Sequence, residues 1–66
     1  MFIELTDATT GKHIVFKKDI IAKVEEDRKT CKGADARVSK ITFIDDIPYE
    51  WVEETVHEIY KKLINS

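Results

Sequence analysis

The 66-residue chain has one cysteine, one proline, two glycines and one tryptophan. A single cysteine, Cys31, excludes a disulfide within the chain and a cysteine-based zinc site of the usual four-ligand kind. The two glycines, Gly11 and Gly33, stand alone, so there is no glycine-rich phosphate loop. There is also no nucleophile elbow and no nucleotide-binding signature. No segment approaches the roughly 20 apolar residues of a membrane span. The opening Met1-Phe2-Ile3-Glu4-Leu5 has neither the basic region nor the long apolar run of a signal peptide. A free cysteine and many lysines fit a reducing cytoplasm.

Charge of one sign is also lacking. Eleven Lys/Arg against thirteen Asp/Glu give a net charge of −2, which argues against a dedicated nucleic-acid binder. The distribution is uneven. Residues 1–40 hold nine Lys/Arg and seven Asp/Glu, +2, whereas residues 41–66 hold two Lys and six Asp/Glu, −4. Such asymmetry can mark a partner surface, and it is also what a solvated face looks like.

What the chain does contain is strand and helix patterning over residues 1–66, read as one domain. Phe2 to Thr6 and His13 to Lys17 alternate as strands, with Ile3 and Leu5, then Ile14 and Phe16, sharing a face. Between them Asp7 to Lys12 is turn chemistry, so the two strands should form an antiparallel hairpin. Ile20 to Glu26 reads as a third strand, with a short helical turn near Asp19 to Ala22 as the rival. Asp27 to Arg37 reads as a long polar loop, and long loops in compact domains are functional or disordered. Val38 to Ile44 is a β-branched and aromatic fourth strand.

After a two-residue turn at Asp45-Asp46, residues Ile47 to Val52 read as a fifth strand. The rival is one long helix from Pro48 to Ile64, since Pro48 suits a first helical turn. Thr55 and Glu58 have the spacing of a capping box, which places the helix start at Thr55 and favours strand followed by helix. Val56, Ile59, Tyr60 and Leu63 then fall on one helical face.

The fold class expected is α+β: a small antiparallel sheet of four to five strands, either open or curled to a barrel, with one C-terminal amphipathic helix. Its core would hold Ile3, Leu5, Ile14, Phe16, Ile20, Val24, Ile41, Phe43, Val56, Ile59 and Leu63. Val15, Val38, Ile44 and Trp51 are left on the other sheet face, which is too apolar for ordinary solvated surface. Either the sheet curls or another subunit covers that face. A chain this short buries only about 60% of its unfolded surface, and small domains often gain stability by association. A homo-oligomer, or docking on a larger protein partner, is therefore expected.

The ending Trp51-Val52-Glu53-Glu54-Thr55-Val56-His57-Glu58-Ile59 resembles the Val-x-Glu-Ser/Thr-x-x-Glu-Ile/Val ending of small FlbD-type flagellar-operon proteins. Short β-rich proteins of phage and Bacteroides type end similarly. The opening Met1 to Thr6, the Gly11-Lys12 turn and Ile20-Ile21-Ala22-Lys23-Val24-Glu25-Glu26 also look like theirs. The resemblance implies a bacterial, compact β-rich fold with a terminal helix, and no catalytic residues. The chain departs from the pattern in Asp45-Asp46, where a glycine is usual, and in the longer 27–37 segment. Glu58-Ile59-Tyr60 is also similar to the helix start of the carbon-storage-regulator RNA-binding proteins. Glu50, Glu53 and Glu54 stand where those proteins carry basic residues, and carboxylates there would repel phosphate.

Few residues offer chemistry. Glu53, Glu54, His57 and Glu58 form a string with metal-ligand character. Such a string is more often an exposed helix start whose carboxylates complement the helix dipole. His13 opens a strand with no identifiable partner. Cys31 lies among Arg28, Lys29 and Lys32, cations that favour a thiolate, but no histidine is placed to assist it. Arg28, Lys29, Lys32, Arg37 and Lys40 form a basic cluster that could contact phosphate, with no aromatic residue interleaved in sequence for base stacking. Val15, Tyr49 and Trp51 are the candidate protein-interface anchors, because buried aromatics dominate interfaces. The expected function is a non-enzymatic protein-interaction or self-associating module without cofactor or metal. The alternative is a small nucleic-acid-binding regulator that uses the basic 28–40 segment.

Overall fold

The computed structural model describes residues 1–31 and 33–65, with the side chain of Cys31 left out. The order is β1 (Phe2–Thr6), β2 (His13–Lys17), a 3-10 turn (Lys18–Ile20), β3 (Ile21–Cys31), β4 (Ala34–Phe43), β5 (Glu50–Val52) and α1 (Val56–Asn65). The fold is α+β, with a two-stranded sheet β1–β2 and a three-stranded sheet β3–β4–β5, all antiparallel.

The first hairpin forms where the alternation places it, with Ile3 opposite Phe16 and Leu5 opposite Ile14. Its turn is held by Asp7, whose Oδ1 accepts the backbone N–H groups of Thr9 (2.7 Å) and Thr10 (3.2 Å). Gly11 takes φ +77° there, a conformation that costs glycine nothing.

The two sheets meet at the end of β1. Asp7 bridges Val52, the Ala8 N–H donates to the Trp51 carbonyl (2.9 Å), and the Glu53 N–H donates to the Thr6 carbonyl (2.9 Å). Stacked Phe16 and Phe43 rings, 5.5 Å apart, tie the sheets again through the core. β2 and β3 remain unpaired with each other, so the strands do not close into a barrel. Helix α1 packs instead against β1 and β3.

The helix begins as its cap predicts. The Glu58 N–H donates to Thr55 Oγ1 (3.1 Å), and the Thr55 N–H donates to Glu58 Oε1 (2.9 Å). Two N–H groups that the first turn would leave free are thus satisfied. Ile59 is fully buried, and Leu63 packs at the core margin.

Ile3, Leu5, Phe16, Ile41, Phe43, Val52 and Ile59 form the buried cluster, with Ile14, Ile20, Ile21, Val24 and Leu63 packed against it. Val52, Val38 and Ala8 are buried although the sequence did not mark them as core. Val52 was assigned to the fifth strand without a face. In fact it lies opposite the buried Ser39, on the inner side of the sheet.

Three boundaries need correction. Asp27 to Arg37 is not a long loop. β3 and β4 continue through it in unbroken register, Asp27 opposite Val38 to Cys31 opposite Ala34, so only positions 32 and 33 separate the strands. Gly33, at φ +80°, supplies the left-handed residue a tight connection needs. The ten steps between its eleven residues, at about 3.3 Å each, make β3 about 33 Å long, and the molecule's longest extent is 34 Å. The third strand is preceded by the 3-10 turn, so it starts at Ile21 rather than Ile20. The fifth strand is only Glu50–Val52. Residues 44–49, with Asp45 at φ +58°, link it to β4 in place of a two-residue turn.

Candidate functional site

The three-stranded sheet has two unlike faces. Along β4, Ser39, Ile41 and Phe43 turn inward and are buried. By the period-2 alternation of a strand, Ala36, Val38, Lys40 and Thr42 turn outward. The residues opposite them share that face: Lys23, Glu25, Asp27 and Lys29 from β3, and Trp51 from β5.

On this outer face a cluster forms around Trp51. The indole Nε1–H donates to Asp27 Oδ2 (3.1 Å). Because Asp27 is on β3 and Trp51 on β5, the ring must reach across β4. Val38, the residue opposite Asp27 on β4, is only 3% exposed although the alternation turns it outward. The Lys29 ammonium lies 4.2 Å from the Trp51 ring centroid, and the Lys40 ammonium 4.4 Å from that of Tyr49. The two rings meet edge to face at 4.8 Å and 81°. Both geometries are favourable for aromatic pairs and for cations over a ring. Tyr49 remains 48% exposed.

Asp27 holds this arrangement together. Its Oδ1 accepts the Arg28 backbone N–H (2.8 Å) while Oδ2 holds the indole. The Arg28 N–H, then the Trp51 N–H, lower its pKa below the ordinary aspartate range, and the Lys40 charge adds to this.

Of the residues singled out from sequence, Tyr49, Trp51, Lys29 and Lys40 thus come together. The others do not join them. Val15 is 60% exposed but lies on the two-stranded sheet, opposite Glu4. Arg28 and Arg37 face each other across the β3–β4 ladder on the opposite side from Lys29, and Arg37 Nε sits 3.8 Å from Glu26 Oε2. The basic cluster is therefore divided by the strand pleat. The readings made for Lys32 and for the Cys31 thiol lie outside the described residues.

The lack of an interleaved aromatic also needs correction. None is near in sequence, but Trp51 of β5 and Tyr49, just before that strand, arrive beside the lysines. Sequence reasoning missed Asp27; Val38 lies on the outer face with Trp51, as expected, and only its burial was missed. The alternation Lys23, Glu25, Asp27, Lys29 is the signal that could have placed Asp27 on one strand face with Lys29.

Two carboxylates of the acidic string near the helix start, those of Glu54 and Glu58, make structural bonds. Glu54 Oε1 accepts the Thr6 N–H (2.8 Å) and Oε2 the Thr6 hydroxyl (3.0 Å). The buried Ser39 hydroxyl donates to the Glu54 carbonyl (2.6 Å). Glu58 belongs to the cap, and His57 is exposed. Among the described residues no group of three or more His, Cys, Asp or Glu is placed to hold a metal ion. His13 does have a partner: its Nδ1 lies 3.0 Å from Glu4 Oε2, with both side chains exposed. No helix among the described residues is long and apolar enough to cross a membrane. In comparisons with known proteins, no family model, no curated protein and no solved structure matches the chain.

Proposed function

We propose that this protein is a small, non-enzymatic cytoplasmic interaction module that receives a protein partner on the outer face of its three-stranded sheet. The observation that carries this reading is the Tyr49–Trp51 pair. It is held in one geometry by Asp27, Lys29 and Lys40 and left partly exposed. Aromatic side chains fixed before binding lose little conformational freedom in an interface, and they supply large contact areas. The FlbD-type resemblance is compatible with this reading, since it implies a compact scaffold without catalytic groups.

A photo-crosslinking amino acid at position 49, introduced in the native host, tests the proposal. Position 10, in the exposed β1–β2 turn, serves as control. A discrete protein adduct at 49 and none at 10 is the expected result. Equal labelling at both positions would reject the face as a docking surface.

The interleaving of Lys29 and Lys40 with the two rings favours one second reading, a platform for single-stranded nucleic acid. Against it, the ammonium groups already occupy positions over the rings, and Glu25 and Asp27 share the face. Trp51 is the only tryptophan, so intrinsic fluorescence reports this site alone. Unchanged emission on titration with single-stranded RNA at low salt is expected. Saturable quenching that weakens as salt rises would replace the protein-partner reading with the nucleic-acid one.

A further inference from the structure

The longest strand of the molecule is an edge. β3 pairs with β4 on one side, and among the described residues no strand pairs with its other side. A long open edge is a template for another strand, and the charges along this one select its occupant. From Lys23 to Lys29 the strand reads Lys-Val-Glu-Glu-Asp-Arg-Lys. We infer that the protein forms a two-fold symmetric dimer in which β3 pairs antiparallel with β3 of a second copy, Asp27 facing the partner's Asp27. The inference names a partner for the interaction module, but it uses the sheet edge rather than the Trp51 face.

The register follows from symmetry and charge. A two-fold axis that keeps the sheet continuous must run perpendicular to it, and facing residues must point to the same side. Only positions separated by an even number can then face each other, and each pair occurs twice. With the axis at Asp27, Glu25 faces the partner's Lys29 on the outer side and Glu26 faces the partner's Arg28 on the inner side. Counting both copies, four opposite-charge pairs result. Moving the axis one residue earlier, to Glu26, sets Glu25 against the partner's Asp27 and Lys23 against the partner's Lys29. Moving it one residue later, to Arg28, keeps only the two pairs of Asp27 with the partner's Lys29, sets Arg28 against the partner's Arg28 and leaves Glu25 and Glu26 facing uncharged positions. Opposite charges directly across a ladder stabilise it and like charges destabilise it, so these neighbouring registers are disfavoured.

The like-charged pair at the axis is moderated within each chain. Asp27 Oδ2 accepts the Trp51 indole N–H, and Oδ1 accepts the Arg28 backbone N–H, a bond that opens where this N–H joins the ladder to the partner. Val24 would face the partner's Thr30 on the inner side. That brings the partner's hairpin tip next to the apolar groove between the start of β3 and α1, lined by Ala22, Val24, Val56 and Tyr60.

A charge exchange tests the dimer. One variant carries Glu25→Lys and Glu26→Lys, the other Arg28→Glu and Lys29→Glu. In each homodimer all four pairs become repulsive; in the mixed dimer all four are attractive. Circular dichroism and thermal melts establish first that both variants fold. Sedimentation equilibrium on the wild type should give twice the 7.7 kDa chain mass. Each variant alone should dissociate roughly a hundredfold more readily, as expected for four pairs reversed in sign. The equimolar mixture should recover the dimer. A monomeric wild type overturns the inference, as do variants that dimerise unchanged or a mixture that stays monomeric. Lys29 also lies over the Trp51 ring, so crosslinking at position 49 is run with residues 25–29 unchanged, and the edge and the outer face are then tested separately.

Discussion

The β3–β4 hairpin is one continuous ladder with two unlike halves. In the half near its base, Ile41 and Phe43 are buried and Val24 packs against them, under the helix and the first hairpin. In the half near its tip, from Asp27 opposite Val38 to Cys31 opposite Ala34, every side chain beyond Val38 whose burial is described is exposed or half-buried. The base is held by removing apolar surface from water. The tip is held by ladder hydrogen bonds, a cross-strand bond from the Thr30 hydroxyl to Asp35 Oδ1 (3.0 Å), and the outer-face cluster that Asp27 and Lys29 build with Trp51. A strand can thus extend well past the core that nucleates it, provided its connection is tight and its side chains pair.

The largest break in this comparison should come from the base. Ile41→Ala removes a fully buried side chain at the centre of the cluster and should cost about 2–5 kcal/mol. For so small a domain that is most of its stability, and chemical denaturation should find the variant largely unfolded. Thr30→Ala, at the tip, should shift the same midpoint by only a few tenths of a kcal/mol, as expected for one exposed cross-strand pair. A tip substitution as costly as the core one would show that the distinction is wrong.

Glu54 sharpens the comparison, because it ties the base to the rest of the molecule. Its carboxylate takes both the N–H and the hydroxyl of Thr6, and its carbonyl takes the buried Ser39 hydroxyl. Glu54→Ala leaves the part-buried Thr6 N–H unpaired and should cost about 1–3 kcal/mol. In Glu54→Gln one amide oxygen can still accept, so it should lose less. Equal losses in the two variants would show that the side chain contributes packing rather than hydrogen bonds.

How much of this was legible follows from what each half is made of. The first hairpin, the inward faces of β1, β2 and β4, and the capped helix all carry apolar periodicity or a spaced pair such as Thr55 and Glu58, and these were read correctly, except that Val56, expected in the core, lies outside the buried cluster and Tyr60 is exposed. The hairpin tip carries less. On β3, Arg28 and Thr30 on one face and Asp27 and Lys29 on the other are all polar, so that strand has no apolar alternation to detect. On β4, Ala34, Ala36 and Val38 do alternate with Asp35 and Arg37, but alanine is a weak strand signal. The burial of Val38 was hidden for a different reason. The alternation sets it on the outer face, and neither composition nor local pattern encodes what covers it there. For the same reason the aromatic and basic candidates looked like separate sites in sequence, although Tyr49, Trp51, Lys29 and Lys40 make one cluster.

The helix cap gives a pH-dependent test that leaves the hairpin untouched. The Thr55 backbone N–H, then its hydroxyl, hold the Glu58 carboxyl below the ordinary glutamate range, with Lys62 and His57 adding smaller contributions. A carboxyl whose folded pKa is depressed stabilises the fold above its unfolded pKa. That stabilisation is lost as pH falls through the unfolded value toward the lower folded one. Melts of wild type and Glu58→Gln should therefore converge as pH is lowered through and below the ordinary glutamate range, and differ most near neutrality. Thr55→Ala removes the cap hydroxyl itself and should cost about 1 kcal/mol at neutral pH. A gap between wild type and Glu58→Gln that persists unchanged into acid would mean that Glu58 acts without its charge.

The smallest effect expected is at the hairpin connection, and it tests whether the tip is a strand pair or a loop that merely lies close. A Cβ on Gly33 would meet nothing within 4 Å, so Gly33→Ala introduces no clash. Its cost comes only from φ +80°, which an alanine adopts at a penalty of about 1 kcal/mol. A ladder that depends on that turn should fray from the tip inward. Amide exchange at Lys29 and Ala36, which face each other, should quicken several-fold in the variant while exchange at Ile41 stays unchanged. If Lys29 and Ala36 exchange as fast in the wild type as in an unfolded peptide, the segment behaves as a loop. If they are protected in both proteins, the outer-face cluster around Trp51 fixes the register and the turn does not.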